Sequence, residues 1–240
     1  MPDPIFADPR LAAIYDAFDG ERDDLEVYAA MVEEFGARRV LDIGCGTGSF
    51  ACLLAGRGFE VVGMDPALAS LEVARSKPFA DRVRWIHGTA ADVPEIDVDF
   101  AVMTGNVAQV FVDDSEWRGT LRAAHRALRP GGHLVFEVRD PARRAWESWT
   151  PEKTRRKRSV PGAGVVEAWT EVTEVALPLV SFRHTYRFES DGATLTSDST
   201  LRFRERDEIE ADLAATGFAA LDVRDAPDRP GLEFVFIASR

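Results

Sequence analysis

The sequence predicts a doubly wound α/β fold, a seven-stranded and mostly parallel sheet with helices on both faces and an antiparallel β element inserted after the fifth strand. Three observations predict it. The apolar run Val40-Leu41-Asp42-Ile43 breaks into Gly44-Cys45-Gly46-Thr47-Gly48, as a buried strand does when it turns sharply and brings its backbone to a ligand where a Cβ would collide. The next apolar run, residues 59–64, ends on Asp65, a carboxylate at a strand's carboxyl end that can accept from both hydroxyls of a ribose. Beyond it, apolar runs and amphipathic stretches alternate, the succession that places ligands at the carboxyl ends of parallel strands.

Taken in order, residues 9–18 and 24–35 carry apolar stripes at helical spacing and precede the first strand. A helix over residues 49–55 follows the glycine loop. Strand three is expected at residues 83–86, strand four at 100–103 and strand five at 133–138. Residues 114–128 read as the clearest helix, stopped by Pro130 and the Gly131-Gly132 pair. Near the end, a helix over 207–216 stops at Gly217, and residues 219–223 and 233–238 supply the last two strands of a Rossmann-like sheet. The chain divides on this reading into a helical cap (1–38), a nucleoside-binding core (39–140), an insertion (141–206) and the closing helix and strands (207–240) of a single domain.

Glycine spacing decides which nucleoside is expected. A dinucleotide fingerprint needs G-x-G-x-x-G, but Gly44, Gly46 and Gly48 give G-x-G-x-G, with Ser49 where that pattern wants Gly or Ala. No Lys-Ser or Lys-Thr follows at phosphate-loop spacing. The chain instead resembles the class I S-adenosylmethionine-dependent methyltransferases in four motifs, in family order: residues 40–48, Gly63-Met64-Asp65-Pro66, residues 88–94, and residues 128–134. The resemblance implies S-adenosylmethionine as cofactor, surrounded by Asp42, Gly44, Cys45, Gly46, Asp65 and Pro66, with Thr89, Ala90 and Asp92 in the adenine loop. The family often has an acidic residue at the position of Thr89, a place that Thr89 or Asp92 would fill here. It further implies that the strand-four exit, with Thr104 and Asn106, faces the methionine end, and that Tyr15 and Tyr28 on the leading helices cap it. Asn106 also reads as a turn residue in an unusual backbone conformation, and Tyr28 as core packing.

Composition narrows the partners. A chain of 240 residues with 45% hydrophobic content can bury a large core within one domain. A formal charge of −12 disfavours nucleic acid and favours a small-molecule methyl acceptor. Cys45 and Cys52 suggest no disulfide framework, and neither a signal peptide nor a run of bilayer length is evident, so a cytoplasmic protein without membrane contact is expected. No dense Cys/His or carboxylate pattern points to a metal.

The stretch from 141 to 206 is too long for an ordinary αβ connection. Residues 165–175, 179–189 and 194–203 alternate apolar and polar positions, with Asp191-Gly192 as a hairpin turn, so an antiparallel sheet is expected, either a lid over the cofactor cleft or a surface that pairs with another subunit, the protein being a monomer or a homodimer through this insertion. Phe182, His184, Tyr186 and Phe188 share one face of its middle strand. A water-excluding aromatic wall would let His184 act as a general base, while a packing stripe with a structurally satisfied histidine is the bland alternative. Arg139, leaving strand five toward the same edge, either grips an anionic substrate group or forms a local ion pair. Trp146 and Tyr186 complete the candidate substrate contacts. The basic run over residues 153–158 reads as an exposed loop, with contact to RNA or a nucleotide-linked substrate as the alternative.

The chemistry that the resemblance implies is in-line methyl transfer to an oxygen, nitrogen or carbon nucleophile, which needs alignment and dryness more than a covalent nucleophile or a metal. A nicotinamide-dependent oxidoreductase and an adenosylmethionine-binding protein without methyl transfer are the competing classes.

Overall fold

The computed structural model describes residues 1–20 and 22–240. Its strands are β1 (Arg39–Ile43), β2 (Glu60–Asp65), β3 (Val83–His87), β4 (Val98–Met103), β5 (Leu128–Arg139), β6 (Arg156–Val160), β7 (Gly164–Ala176), β8 (Leu179–Phe188), β9 (Thr194–Arg202), β10 (Ala220–Asp225) and β11 (Glu233–Ser239). Seven of them form one sheet in the order β3-β2-β1-β4-β5-β11-β10, in which only the β5–β11 and β11–β10 pairings are antiparallel. The others form a second, antiparallel sheet in the order β6-β7-β8-β9. The helices are α1 (Pro4–Ala7), α2 (Pro9–Ala12), α3 (Tyr15–Asp19), α4 (Asp24–Glu34), α5 (Ser49–Gly56), α6 (Leu68–Arg75), α7 (Asp114–Ala127), α8 (Pro151–Thr154) and α9 (Arg206–Ala215). None of the described helices is long and apolar enough to cross a membrane.

Period-two alternation sorts the large sheet into two cores. Leu41, Ile43, Met103, Phe136 and Phe236 meet Trp117 and Leu121 of α7 and Leu213 of α9 on one face. Val40, Val102, Val135 and Val235 meet Tyr28 and Val32 of α4 and Phe50 and Leu54 of α5 on the other. Helix α7 shows the causes of a stable element: Asp113 accepts from the amides of Ser115 and Glu116 at its start, and Trp117, Leu121, Ala124 and Ala127 form its buried stripe. The same alternation carries three acids to the α4 face: Glu137 and Glu233 where β5 meets β11, with Glu233 opposite Arg139, and Asp42 on β1, across β4 from them.

The second sheet turns its aromatic face inward. Val166, Ala168, Tyr186 and Phe188 pack on Ile5, Leu11, Ile14 and Phe18, so α1 to α3 lie between this sheet and the core. Polar contacts clip them on both sides: the Ile5 amide donates to Ser197 Oγ at 2.9 Å, Ser70 Oγ donates to the Phe6 carbonyl at 2.9 Å, and Arg10 pairs with Asp191 at 2.9 Å.

Three expectations need correction. The helix expected over residues 9–18 is broken between α2 and α3, so that Leu11 on one piece, Ile14 at the break and Phe18 on the other piece all reach buried positions. Strand five begins at Leu128 rather than at His133, and the register shift between Val98 and Phe100 of β4 takes up the extra residues around the glycine pair. The basic run 153–158 is no loop: it closes α8 and opens β6, whose charged edge discourages pairing with another chain.

Candidate functional site

The glycine loop is built by backbone conformation. Gly44, Gly46 and Gly48 have φ of 71°, 53° and 76°, where a side chain is strained. Their surroundings differ. A Cβ on Gly48 would stand 2.6 Å from the Trp85 ring and 2.7 Å from Ala74 Cβ, and one on Gly44 2.7 Å from Val107, whereas one on Gly46 would meet nothing within 4 Å. The first and last glycines serve internal packing, and the middle one leaves its backbone open to a ligand. Cys45 lies between them with its thiol pushed up by burial and by Asp42, a reluctant nucleophile.

Asp65 sits at the end of β2 with one carboxylate oxygen 2.9 Å from the Gly46 amide and the other 2.7 Å from the Ala67 amide. Burial pushes its pKa up and these two amides hold it back. Pro66 follows, its carbonyl 3.1 Å from His87 Nε2. Thr89 and Asp92 form a reciprocal cap: Asp92 Oδ2 accepts from the Thr89 amide at 2.8 Å and from its hydroxyl at 3.1 Å, with Ala90 in the short turn between. Gly88 donates to the Asp65 carbonyl at 3.1 Å, which docks this loop beside the acidic residue. The N-terminal segment closes over the glycine loop through Asp16, which accepts from Thr47 Oγ1 at 2.6 Å and pairs with Lys77 at 2.6 Å.

Beyond the strand ends lies a cavity of about 460 Å³, roofed by the second sheet and walled by the leading helices. Tyr15, Asn106, Arg139, His184 and Tyr186 all line it. Gly105 and Asn106 are consecutive left-handed residues, φ 75° and 59°, and the Asn106 amide donates to Glu137 Oε1 at 2.6 Å. Asn106 is therefore both a turn residue and a cavity wall, and Thr104 is the half-buried residue that leads into that turn. Tyr28 is 2% exposed, packs edge-on against Phe50 and brings its hydroxyl to Glu137.

Several buried acceptors here make no hydrogen bond among the described residues: both oxygens of Asp42, Oε2 of Glu137 and Oδ1 of Asn106. Asp42 is 1% exposed and its pKa is pushed up to about 7, first by burial and then by Asp65. Burial likewise pushes Glu137 up. Burial works against the charge of Arg22, but Asp24 at 2.8 Å and Asp19 at 2.9 Å hold it firmly ionised. Arg139 takes the ion-pair alternative loosely: its Nη1 is 3.0 Å from Gln109 Oε1 and its Nε 3.9 Å from Glu233, while Arg229 holds Glu233 at 2.7 Å.

On the roof, His184 stands edge-on to Phe182, and its Nδ1 is 2.8 Å from the Thr170 hydroxyl, which leaves Nε2 for a ligand. Its pKa is pushed down to about 4 by burial and then by the Arg156 guanidinium, so it is neutral at physiological pH. Tyr186 lies edge-on to Phe18 at 5.6 Å. Trp146 does not reach the cavity. It is 5% exposed and packs against Phe203 at 4.6 Å, with Val180 completing a separate core.

Arg22, Glu137, Arg229 and Glu233 belong to the cavity wall although no motif marks them. The available signal is a charge inside an apolar strand: Phe136-Glu137-Val138 and Leu232-Glu233-Phe234 each carry an acid where alternation calls for a buried side chain. Nothing local in the sequence marks Arg22. Among the described residues no group of His, Cys, Asp and Glu is arranged to hold a metal ion.

Residues 40–132 match the methyltransferase domain family. The chain is similar to the cypemycin N-terminal methyltransferase of a Streptomyces species, 33% identical over 44% of this chain and 43% of that protein. It is also similar to the malonyl-[acyl-carrier protein] O-methyltransferase of Serratia marcescens, 28% identical over 73% of this chain and 65% of that one. The match thus spans less than two thirds of each of these relatives. Its fold is that of an amino pentose methyltransferase from Micromonospora echinaspora solved with S-adenosylmethionine bound, with a TM-score of 0.71, 22% identity, and coverage of 95% of this chain and 96% of that one.

Proposed function

We propose that the protein, whose residues 40–132 match the methyltransferase domain family, is a class I S-adenosylmethionine-dependent methyltransferase that methylates an oxygen, nitrogen or carbon nucleophile of a small molecule held in the cavity beside the glycine loop. The observation that carries this reading is the cavity itself: its size suits a small ligand, and it is walled where the strands end by buried acceptors without partners.

The residues present fit the cofactor. Gly46 offers an open backbone approach, and Asp65 keeps lone pairs for ribose hydroxyls because each of its oxygens accepts only one amide. Asp92 uses only Oδ2 at the loop cap, so its other oxygen remains for the adenine amino group. At the opposite end, Asp42, Asn106 Oδ1 and Glu137 Oε2 supply acceptors for an ammonium group. When bound, S-adenosylmethionine supplies a methyl group already activated by its sulfonium. The chain then has to align the nucleophile, exclude water and take up a proton. Tyr15, Phe18 and Tyr186 dry the chamber, and His184 Nε2 accepts the proton of an acceptor O–H or N–H.

Calorimetric titration with S-adenosylmethionine, S-adenosylhomocysteine and NAD tests the reading. Binding of the first two without NAD is expected. Binding of NAD alone would replace methyl transfer with hydride transfer.

A further inference from the structure

We propose that Arg156 anchors an oxyanion, a carboxylate or phosphate, on the methyl acceptor, an inference that rests on the methyltransferase reading of the cavity.

Strand alternation separates the basic residues of β6 and its neighbours into two sets. On the outer face, Arg155 and Arg187 pair with Glu167 at 3.3 and 2.6 Å, and Lys157 pairs with Glu189. Arg156 points the other way. It stands opposite Ala168, which in turn stands opposite Tyr186, so a methyl group lies between the arginine and the tyrosine and leaves room beside both. The guanidinium lies 5.7 Å from the centre of the Phe18 ring, at the cavity wall it shares with His184 and Tyr186.

The arginines that line the cavity are not equivalent. Arg22 is held by Asp19 and Asp24, Arg229 by Glu233, and Arg139 by Gln109 with Glu233 beyond. Among the described residues Arg156 has no carboxylate within 4 Å, although the protein carries an excess of acids with a formal charge of −12. On so acidic a chain, a cavity cation with no carboxylate partner among the described residues, set between Arg155 and Lys157 that each have one, is a cation available to a ligand; Arg158 also lacks such a partner but lies outside the cavity. A guanidinium presents paired N–H donors in a fixed plane that matches a carboxylate or phosphate. Phe18 under its face limits the orientations it samples.

A second role competes for the same side chain. Charged residues on an edge strand discourage strand pairing, and Arg158 can serve that purpose as well as Arg156 can. Arg158 lies on the same face of the same strand, opposite Val166, but does not line the cavity. The two arginines therefore form their own control.

The test uses the full chain saturated with S-adenosylhomocysteine, titrated calorimetrically at low salt with inorganic phosphate, pyrophosphate and succinate. Arg156→Gln is expected to weaken binding of the preferred anion by about tenfold or more, the weight of a charge-assisted hydrogen bond. Arg158→Gln should leave it unchanged. Preference between the phosphates and succinate tells which oxyanion the acceptor carries. Equal binding by both variants and the unaltered protein, or no binding by the unaltered protein, would overturn the assignment. Affinity for S-adenosylhomocysteine should be the same in all three proteins. Its absence throughout would sink the methyltransferase reading instead, while the anion titrations would still report on Arg156.

Discussion

The glycine loop takes its shape from the dihedral angles of a few consecutive residues, whereas the cavity beside it is assembled from the leading helices, the strand-four exit, β5, the roof sheet and the β10–β11 connection. The loop is a backbone object: its side chains are small, and its demands are positive φ and close approach. The cavity is a side-chain object, and its demands are charge balance and dryness. The two should therefore fail differently, the loop through strain and collision and the cavity through electrostatics.

The largest effect is expected where collision adds to strain. Gly48→Ala places a Cβ against Trp85 and Ala74 in a left-handed conformation, and overpacking plus the backbone penalty should cost about 4 kcal/mol. Gly46→Ala meets only the backbone penalty, about 1–2 kcal/mol, yet should lose most of its affinity for S-adenosylhomocysteine because the new methyl occupies the ligand's approach. Urea denaturation and calorimetry on the pair separate the two. A Gly46→Ala variant that binds normally would break the division between packing glycines and the binding glycine.

Next in size is Trp146→Ala, which removes a buried indole from the cluster with Phe203 and Val180 and should cost about 3 kcal/mol. Cofactor affinity in the folded fraction should not change, because Trp146 is outside the cavity wall. A Trp146→Ala protein of full stability and weakened acceptor binding would instead return this residue to the site.

How far the sequence shows these features follows from the same division. The glycine loop, Asp65 and the strand succession are local patterns, so the large sheet and its strands in chain order are readable from residue spacing and strand periodicity, whereas their lateral order comes from the pairing. The cavity is not, because Arg22 and Arg229 meet only after residues far apart in the chain have been packed together. Glu137 and Glu233 are intermediate cases: alternation alone puts each on a buried face, but their convergence depends on the antiparallel β5–β11 pairing. Strand β6 was hidden because four of its five residues, including three consecutive cations, are exposed, and neither an apolar run nor alternation marks it.

Asp42 stands between the two regions, with a backbone position in the glycine-loop strand and a buried carboxylate that does not line the cavity but feels Asp65 on one side and Glu137 and Arg22 of the cavity wall on the other. Its folded pKa, about 7, is raised above the value of 3.8 for the free side chain. Its contribution to stability is therefore full below about pH 4 and is lost as pH rises through 7. Asp42→Asn should erase that part of the pH dependence, leaving the variant more stable than the parent at pH 8 by on the order of 2 kcal/mol once partial hydration of the strand ends is allowed for. The same variant should bind S-adenosylhomocysteine more weakly, since the carboxylate then no longer meets an ammonium. Parallel melting curves from pH 4 to 8 would show that Asp42 is solvated and belongs to neither region.

The smallest effect is expected at His184, and its size tests whether the roof does chemistry or only keeps out water. Removing a general base costs more when that base is strong, and a pKa near 4 makes His184 a weak one. His184→Ala should lower turnover about tenfold, a barrier change of about 1.4 kcal/mol, while cofactor affinity persists. In the unaltered protein the acid limb of kcat/KM should fall near pH 4, because His184 is neutral above its folded pKa and competent throughout the physiological range. The stability contribution has the matching sign: a depressed histidine favours the folded state above about pH 6.5, and that advantage is lost as pH falls through 4. A limb near 6.5 would mean that His184 is hydrated when the cavity is filled, so the roof would not be the dry half of the site. Unchanged turnover with a lowered melting temperature would make the Thr170–His184 contact a packing feature, leaving Tyr15 and Tyr186 as the side chains that orient the acceptor.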